Sequence, residues 1–349
     1  MHLPTKAIIL GFFIALSGAL LAKGIGAPIP WLLGSLLATL IFRVNHAPIH
    51  SHPFFRKMGQ WIIGISLGLY FTPTTIDTLT PLLSYIILAC CFTLLLGSLG
   101  SLIITKLAKV DFTTAFFSST IGGASEMVVL AERNRADKQL TASAHSLRIL
   151  IVTITIPLFF QLMEYHGNTP TNDTSTSFSF EGLLLLLASS AVMGVVFEKL
   201  KIPNAFVIGS IVLTGILTAH NIHLSSLPSS LLNFAQLLIG WSLGSNYTPN
   251  FFKQAPKFLL VILITITFYL LVTIGFALLL SSINGIYYPT SILSLSPGGI
   301  AEMAITAKVL LLEAPIVTSF QISRLVFVLI LAEPLYKVMK KLAQKLRLK

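Results

Sequence analysis

The chain has 349 residues, of which 54% are hydrophobic and only 10% charged, where a soluble domain carries roughly 25% charged residues. That composition excludes a water-soluble enzyme or a soluble DNA-binding domain, so the formal net charge of +11 needs an explanation other than a nucleic-acid surface. The only cysteines, Cys90 and Cys91, are adjacent in an apolar run, which rules out a disulfide framework and a CxxC metal site.

Taken along the chain, apolar segments fall near 6–22, 27–43, 58–71, 82–105, 112–131 and 142–163. After a polar stretch they resume near 182–197, 203–219, 230–246, 257–283, 288–308 and 315–339. Several reach the ~18 or more apolar residues needed to cross a ~30 Å hydrocarbon core, and helices suit that medium because they satisfy their own backbone hydrogen bonds. The first segment resembles a signal peptide in length. No small-x-small cleavage site follows it, however, and a matching segment stands at about 183–197, so it reads as a retained span.

The second series repeats the first. GQWIIGISLGLYFTP at 59–73 aligns with AQLLIGWSLGSNYTP at 235–249, and IGGASEM at 121–127 with PGGIAEM at 297–303, both at an offset of 176. Arg148 and Arg324 keep the same offset, and Pro28, Gly34 and Ser35 match Pro203, Gly209 and Ser210 at 175. The expected organisation is a first repeat over 1–164, a polar periplasmic linker over 165–180 and a second repeat over 181–349.

Orientation follows from the basic residues, which concentrate in cytoplasmic loops. If all twelve segments span, Lys199, Lys201, Lys253 and Lys257 fall outside and the Lys/Arg-free linker falls inside, against that rule. If the fifth segment of each half enters and leaves on one side, nineteen of the 23 Lys and Arg become cytoplasmic. Lys23 and Lys308 then lie near the outside, with Arg148 and Arg324 within spans. The expected fold is therefore an all-α polytopic membrane protein. Its two homologous halves form an inverted 5+5 transmembrane repeat, with a re-entrant or broken segment in each half. Both termini are cytoplasmic, and the basic excess faces anionic lipid rather than nucleic acid.

Chemistry concentrates at the two broken segments. Gly122-Gly123 and Gly298-Gly299 can form tips whose following helices aim N–H groups at an anion or a carbonyl; tight helix packing is the alternative. Glu126 and Glu302 are carboxylates at membrane depth, candidates for proton or cation work. Arg148 and Arg324, each 22 residues further on, offer them ion-pair partners or hold an anionic substrate. Ser119, Ser125 and Ser296 could coordinate a substrate or cation beside the tips, and Gln60 and Gln236 could line a cavity. Gly64-x-x-x-Gly68 and Gly240-x-x-x-Gly244 read as close helix contacts, with Thr72-Pro73 and Thr248-Pro249 ending or breaking those helices. His145 lies one turn from Arg148, but its counterpart is Gln321, which argues against a symmetric role. His46, His50 and His52 read as a solvated loop before a metal site. No HExxH, GxSxG or P-loop occurs, so neither a cofactor nor catalysis is expected.

The paired GGxxEM segments, the GxxxG-x3-TP repeats and the paired arginines resemble, over nearly the whole chain, the AbrB-type membrane protein family with its internal duplication. That name is shared with an unrelated soluble DNA-binding regulator, which this hydrophobic chain cannot be. The resemblance implies a bacterial inner-membrane protein of undefined substrate, variously labelled ammonia monooxygenase, regulator or transporter. The monooxygenase label lacks a repeated His or Cys cluster to hold a metal. The expectation is a secondary transporter of a small solute, an anion in one version, coupled to protons or a cation, in the bilayer and in homodimeric form by analogy. The alternative is a membrane-embedded regulator or sensor that binds a small ligand without moving it.

Overall fold

The computed structural model describes residues 5–167 and 178–345, and among these every regular element is helical. Residues 168–177, the larger part of the polar stretch assigned to the linker, lie outside the described residues. In chain order the helices are α1 (Thr5–Gly24), α2 (Pro30–Val44), α3 (Pro53–Gly68), α4 (Pro73–Leu79), α5 (Leu83–Ala108), α6 (Phe112–Ser119), α7 (Ala124–Arg133) and α8 (Lys138–Leu162). They continue as α9 (Phe180–Lys199), α10 (Ala205–Ala219), α11 (Ser229–Ser245), α12 (Phe251–Gln254), α13 (Pro256–Asn284), α14 (Tyr288–Leu295), α15 (Ile300–Val309) and α16 (Ala314–Lys345).

Among the described residues, six helical stretches are long and apolar enough to cross a membrane: α1, α4 running into α5, α8, α9, α13 and α16. Large apolar side chains on them, such as Leu184, Leu185, Leu271 and Ile330, are more than half exposed. Water would penalise that surface and hydrocarbon does not. The protein is an all-α polytopic membrane protein.

Two compact units interleave along the chain, each taking segments from both halves of the sequence. The first comprises residues 1–80, 156–250 and 304–315; the second comprises 81–155, 251–303 and 316–349.

The first unit is held by close helix contacts. α3 packs on α10, and α11 packs on α2. A Cβ on Gly64 would strike the Val207 carbonyl, and one on Gly68 would strike Thr214. On the other pair, Gly240 faces Ser35 and the Leu32 carbonyl, and Gly244 faces Thr39 and the Leu36 carbonyl. Both GxxxG patterns are thus seams where only hydrogen fits. Each seam joins a helix before the linker to one after it, in reciprocal fashion. α2 and α10 also start alike, after a left-handed residue: Ile29 at φ 44° and Asn204 at φ 49°. For the β-branched Ile29 this conformation is strained, and its burial holds it there.

One expectation shifts. α3 ends at Gly68, before Thr72-Pro73, because that pair starts the next helix. The Thr72 hydroxyl accepts from the Thr75 amide at 3.3 Å, and Pro73 takes the first position of α4. α11 likewise ends at Ser245, ahead of Thr248-Pro249.

In the second unit α5 packs on α6 and α13, and α13 on α14. The segments 112–131 and 288–308 are each broken in two, at 120–123 and 296–299. The Asp137 amide, in the turn between α7 and α8, donates to the Thr114 hydroxyl of α6 at 2.9 Å. Asp111 caps α6, and the Asp137 carboxylate accepts from the Gln139 and Leu140 amides at the start of α8. Phe112, Phe116, Phe117 and Ala131 then share one cluster with Tyr336 of α16.

Candidate functional site

Breaking a helix frees carbonyls at its C-terminal end and amides at the next N-terminal start. In an apolar medium each must find a partner. The second unit meets this requirement in the same way at both breaks.

α6 ends at Ser119, and the chain then makes a three-residue turn closed by the Gly122 amide on the Thr120 carbonyl at 2.9 Å. The freed carbonyls are taken by side chains of α8 and α13. Arg148 donates to the Thr120 carbonyl at 3.0 Å and to the Gly122 carbonyl at 2.8 Å. The His145 Nε2 meets the Phe117 carbonyl at 2.9 Å, and the Tyr269 hydroxyl donates to the Ser119 carbonyl at 2.9 Å.

The second break repeats the arrangement. The Gly298 amide closes on the Ser296 carbonyl at 2.8 Å. Arg324 donates to the Ser296 and Gly298 carbonyls, both at 2.7 Å. Gln321 donates to the carbonyls of Leu293, Ser294 and Ser296 at 3.0–3.2 Å. Gln321 stands where the first half has His145, and both side chains serve as donors to the end of the broken helix. The unequal residue types had argued against a shared role; the geometry gives them one.

The glutamates occupy the other side of each break. Met127 and Met303 close the first helical hydrogen bonds on the Gly123 and Gly299 carbonyls at 3.0 Å, which makes Glu126 and Glu302 the third residues of α7 and α15. Each carboxylate curls back over its own helix start: a Cβ on Gly123 would collide with Oε2 of Glu126, and one on Gly299 with Oε2 of Glu302. A carboxylate in that place is a favourable charge at a helix N-terminus. A Cβ on Gly122 would press on Met127 at 3.0 Å, and one on Gly298 on Met303 at 2.7 Å. The GGxxEM motif is therefore a self-packed helix start. The two glycines leave room for the glutamate and the methionine of the same turn.

Among the described residues no ion pair joins Arg148 to Glu126. Arg148 instead meets the carbonyl end of α6 while Glu126 lies over the amide start of α7, and Arg324 meets the carbonyl end of α14. Arg148 and Arg324 are both buried, and each keeps an Nε–H without a partner. The site thus concentrates positive charge that the carbonyls only partly offset.

The remaining candidates scatter. The Ser119 and Ser296 hydroxyls bond back to their own helices, at Phe116 and Ile292, and Ser125 is exposed on α7. In the first unit, Gln60 approaches Asn204 at 3.4 Å. Gln236 is buried and lines a cavity of about 200 Å³ with Ser66 and Lys308. His52 caps α3, and His50 is held below the ordinary histidine range by burial and the nearby Arg43. Among the described residues no three His, Cys, Asp or Glu side chains gather as metal ligands. Neither Tyr269 nor Lys308 was among the site residues expected from the sequence. The first could have been suspected from Gly100, whose missing side chain makes room for the Tyr269 hydroxyl. The second carries no repeat signal at all.

A family model described as "Transition state regulatory protein AbrB" matches residues 31–340. The chain is 25% identical over 358 residues to "Uncharacterized protein YhjN" of Bacillus subtilis (strain 168), covering 94% of this chain and 92% of that protein. It is 25% identical over 305 residues to "Putative regulator AbrB" of Escherichia coli (strain K12), covering 87% and 88%.

Proposed function

The chain belongs to the AbrB family, and from that premise we propose that it is a secondary transporter of a small solute working by alternating access. The observation that carries this reading is the pair of broken helices in one compact unit, each with its arginine on the carbonyl end and its glutamate on the amide start. Broken helices at membrane depth are the usual means by which transporters present backbone and charge to a solute. Glu126 and Glu302 exchange protons or a cation as their helix starts open and close. Arg148 and Arg324, with unfilled Nε–H donors, favour an anionic solute.

The topology belongs to the same proposal. The two halves are an inverted 5+5 duplication joined by the linker at 165–180, in the bacterial inner membrane with both termini cytoplasmic. Segments 112–131 and 288–308 are re-entrant from opposite faces. The Thr114–Asp137 bond and the reciprocal seams of α3 on α10 and α11 on α2 support it. Impermeant thiol labelling of Lys109→Cys and Arg135→Cys tests it: both label from the cytoplasmic side, and labelling from opposite faces contradicts the re-entrant segment.

A second reading has its own support. The family description and the name of the Escherichia coli relative both say regulator, and they favour a membrane-embedded sensor that binds a small ligand without moving it. Thermal stability of the purified protein, screened against small carboxylates, amino acids, amines and sodium at several pH values, finds the ligand under either reading. Flux of that ligand in proteoliposomes supports transport; binding without flux, together with a stable protein partner, supports regulation.

A further inference from the structure

Lys308 lies on the part of α15 that belongs to the first unit, half-buried at the wall of the 200 Å³ cavity between α3 and α11. Its ammonium donates to the Ser66 hydroxyl and lies 5.3 Å from the centre of the Tyr70 ring. Among the described residues no carboxylate lies within ion-pair distance of it. Asn233, Gln236 and Ser229 add neutral polar groups to the same wall, while Ile63 and Leu232 make the rest of it apolar.

A cation at such a place is costly. A buried charge needs a partner of opposite sign, and a hydroxyl with a ring face supplies only part of that. Nor is the cation part of the common scaffold of the two halves. The residue 176 positions earlier is Glu132, which is exposed and pairs with Lys138 at 2.7 Å. A solitary cation, hydroxyl and amide donors, and an apolar wall together describe the complement of one small molecule.

We infer that this cavity is a binding site for a small carboxylate with a short aliphatic tail, in which Lys308 and Ser66 hold the carboxylate, Asn233 and Gln236 add hydrogen bonds, and Ile63 and Leu232 cover the tail. Lys308 reaches it from the far end of α15, the half-helix that follows the second break, and the site is occupied whether the protein transports its ligand or senses it.

The probes are isovalerate and its neutral isostere isovaleramide, added to the full chain in phosphatidylcholine nanodiscs while thermal unfolding is followed. Isovalerate raises the unfolding temperature and isovaleramide leaves it in place. Lys308→Met weakens isovalerate binding at least about tenfold, equivalent to about 1.4 kcal/mol, and Lys308→Arg retains it. Lys308→Met also leaves the ligand-free protein as stable as before or more so, because an unpaired charge has gone. A lysine serving only as a strut to Ser66 would lower stability when removed. If Lys308→Met fails to yield folded protein, Ser66→Ala carries the test, with binding weakened several-fold. An equal response to the amide, an isovalerate response that survives Lys308→Met, or a response to phosphatidylglycerol alone overturns the assignment. Isovalerate binding without isovalerate flux leaves this site standing and removes transport for this solute alone. Flux of another solute with no isovalerate response does the reverse.

Discussion

Gly123→Ala is expected to change its effect with the residue three positions later. The backbone at Gly123, φ −65° and ψ 133°, is one that alanine adopts without strain. Alanine there gains about 0.4–1 kcal/mol from the lost freedom of the unfolded chain, roughly offset by its poor showing as an N-cap. On backbone grounds the exchange is neutral within about 0.5 kcal/mol. The new methyl group, however, falls on Oε2 of Glu126, and Leu325 at 3.2 Å blocks escape on another side. Driving the carboxylate off the start of α7 forfeits a charge–dipole term of about 0.3–1 kcal/mol, up to about 2 where partly buried. Glu126→Ala alone loses the same term. The double variant should therefore cost no more than either single one, so the coupling equals the shared term, about 0.3–1 kcal/mol and up to about 2. Unfolding of the four proteins in detergent by denaturant closes the cycle, and Gly299 with Glu302 offers a second copy of it. Equal costs of Gly123→Ala with and without Glu126 would refute the capped helix start.

Arg148→Met strips two freed carbonyls of charged donors worth about 1.5–3 kcal/mol each, so even after relief of the buried charge the protein should lose about 3 kcal/mol; the folded fraction on size-exclusion chromatography reads this, and Arg148→Lys should recover only part. His145→Gln is expected to be tolerated, because Gln321 performs the same task at the other break, whereas His145→Leu leaves the Phe117 carbonyl without its donor and costs about 1–3 kcal/mol in the same denaturant assay. Gly64→Leu forces α3 away from Val207 and Ser210 of α10, an overpacking cost of about 1–3 kcal/mol or more that should appear as a lower unfolding temperature.

The long spans were legible because apolar length alone decides them: the expected 257–283 appears as Pro256–Asn284 and 182–197 as Phe180–Lys199. The breaks were legible from Gly-Gly within apolar segments. What Glu126 and Arg148 do at those breaks was not. Opposite charges 22 residues apart suggest each other as partners, and only coordinates reveal that Arg148 turns to carbonyls and Glu126 to its own helix start. The GxxxG patterns announced close packing without naming the partner helix, since neither α10 for α3 nor α2 for α11 is near in sequence. The Lys308 cavity was beyond reach for the same reason. It is assembled from three separate segments, and no single stretch carries its pattern.

Counterflow in proteoliposomes separates transport from sensing. Vesicles preloaded with the unlabelled ligand found by the stability screen are diluted into a trace of the labelled compound. The transporter reading predicts transient accumulation of label, lost in Glu126→Gln and Glu302→Gln while both variants still bind ligand. Binding in the wild-type protein with no accumulation under any imposed proton or sodium gradient would contradict it and leave the chain as a membrane-embedded sensor.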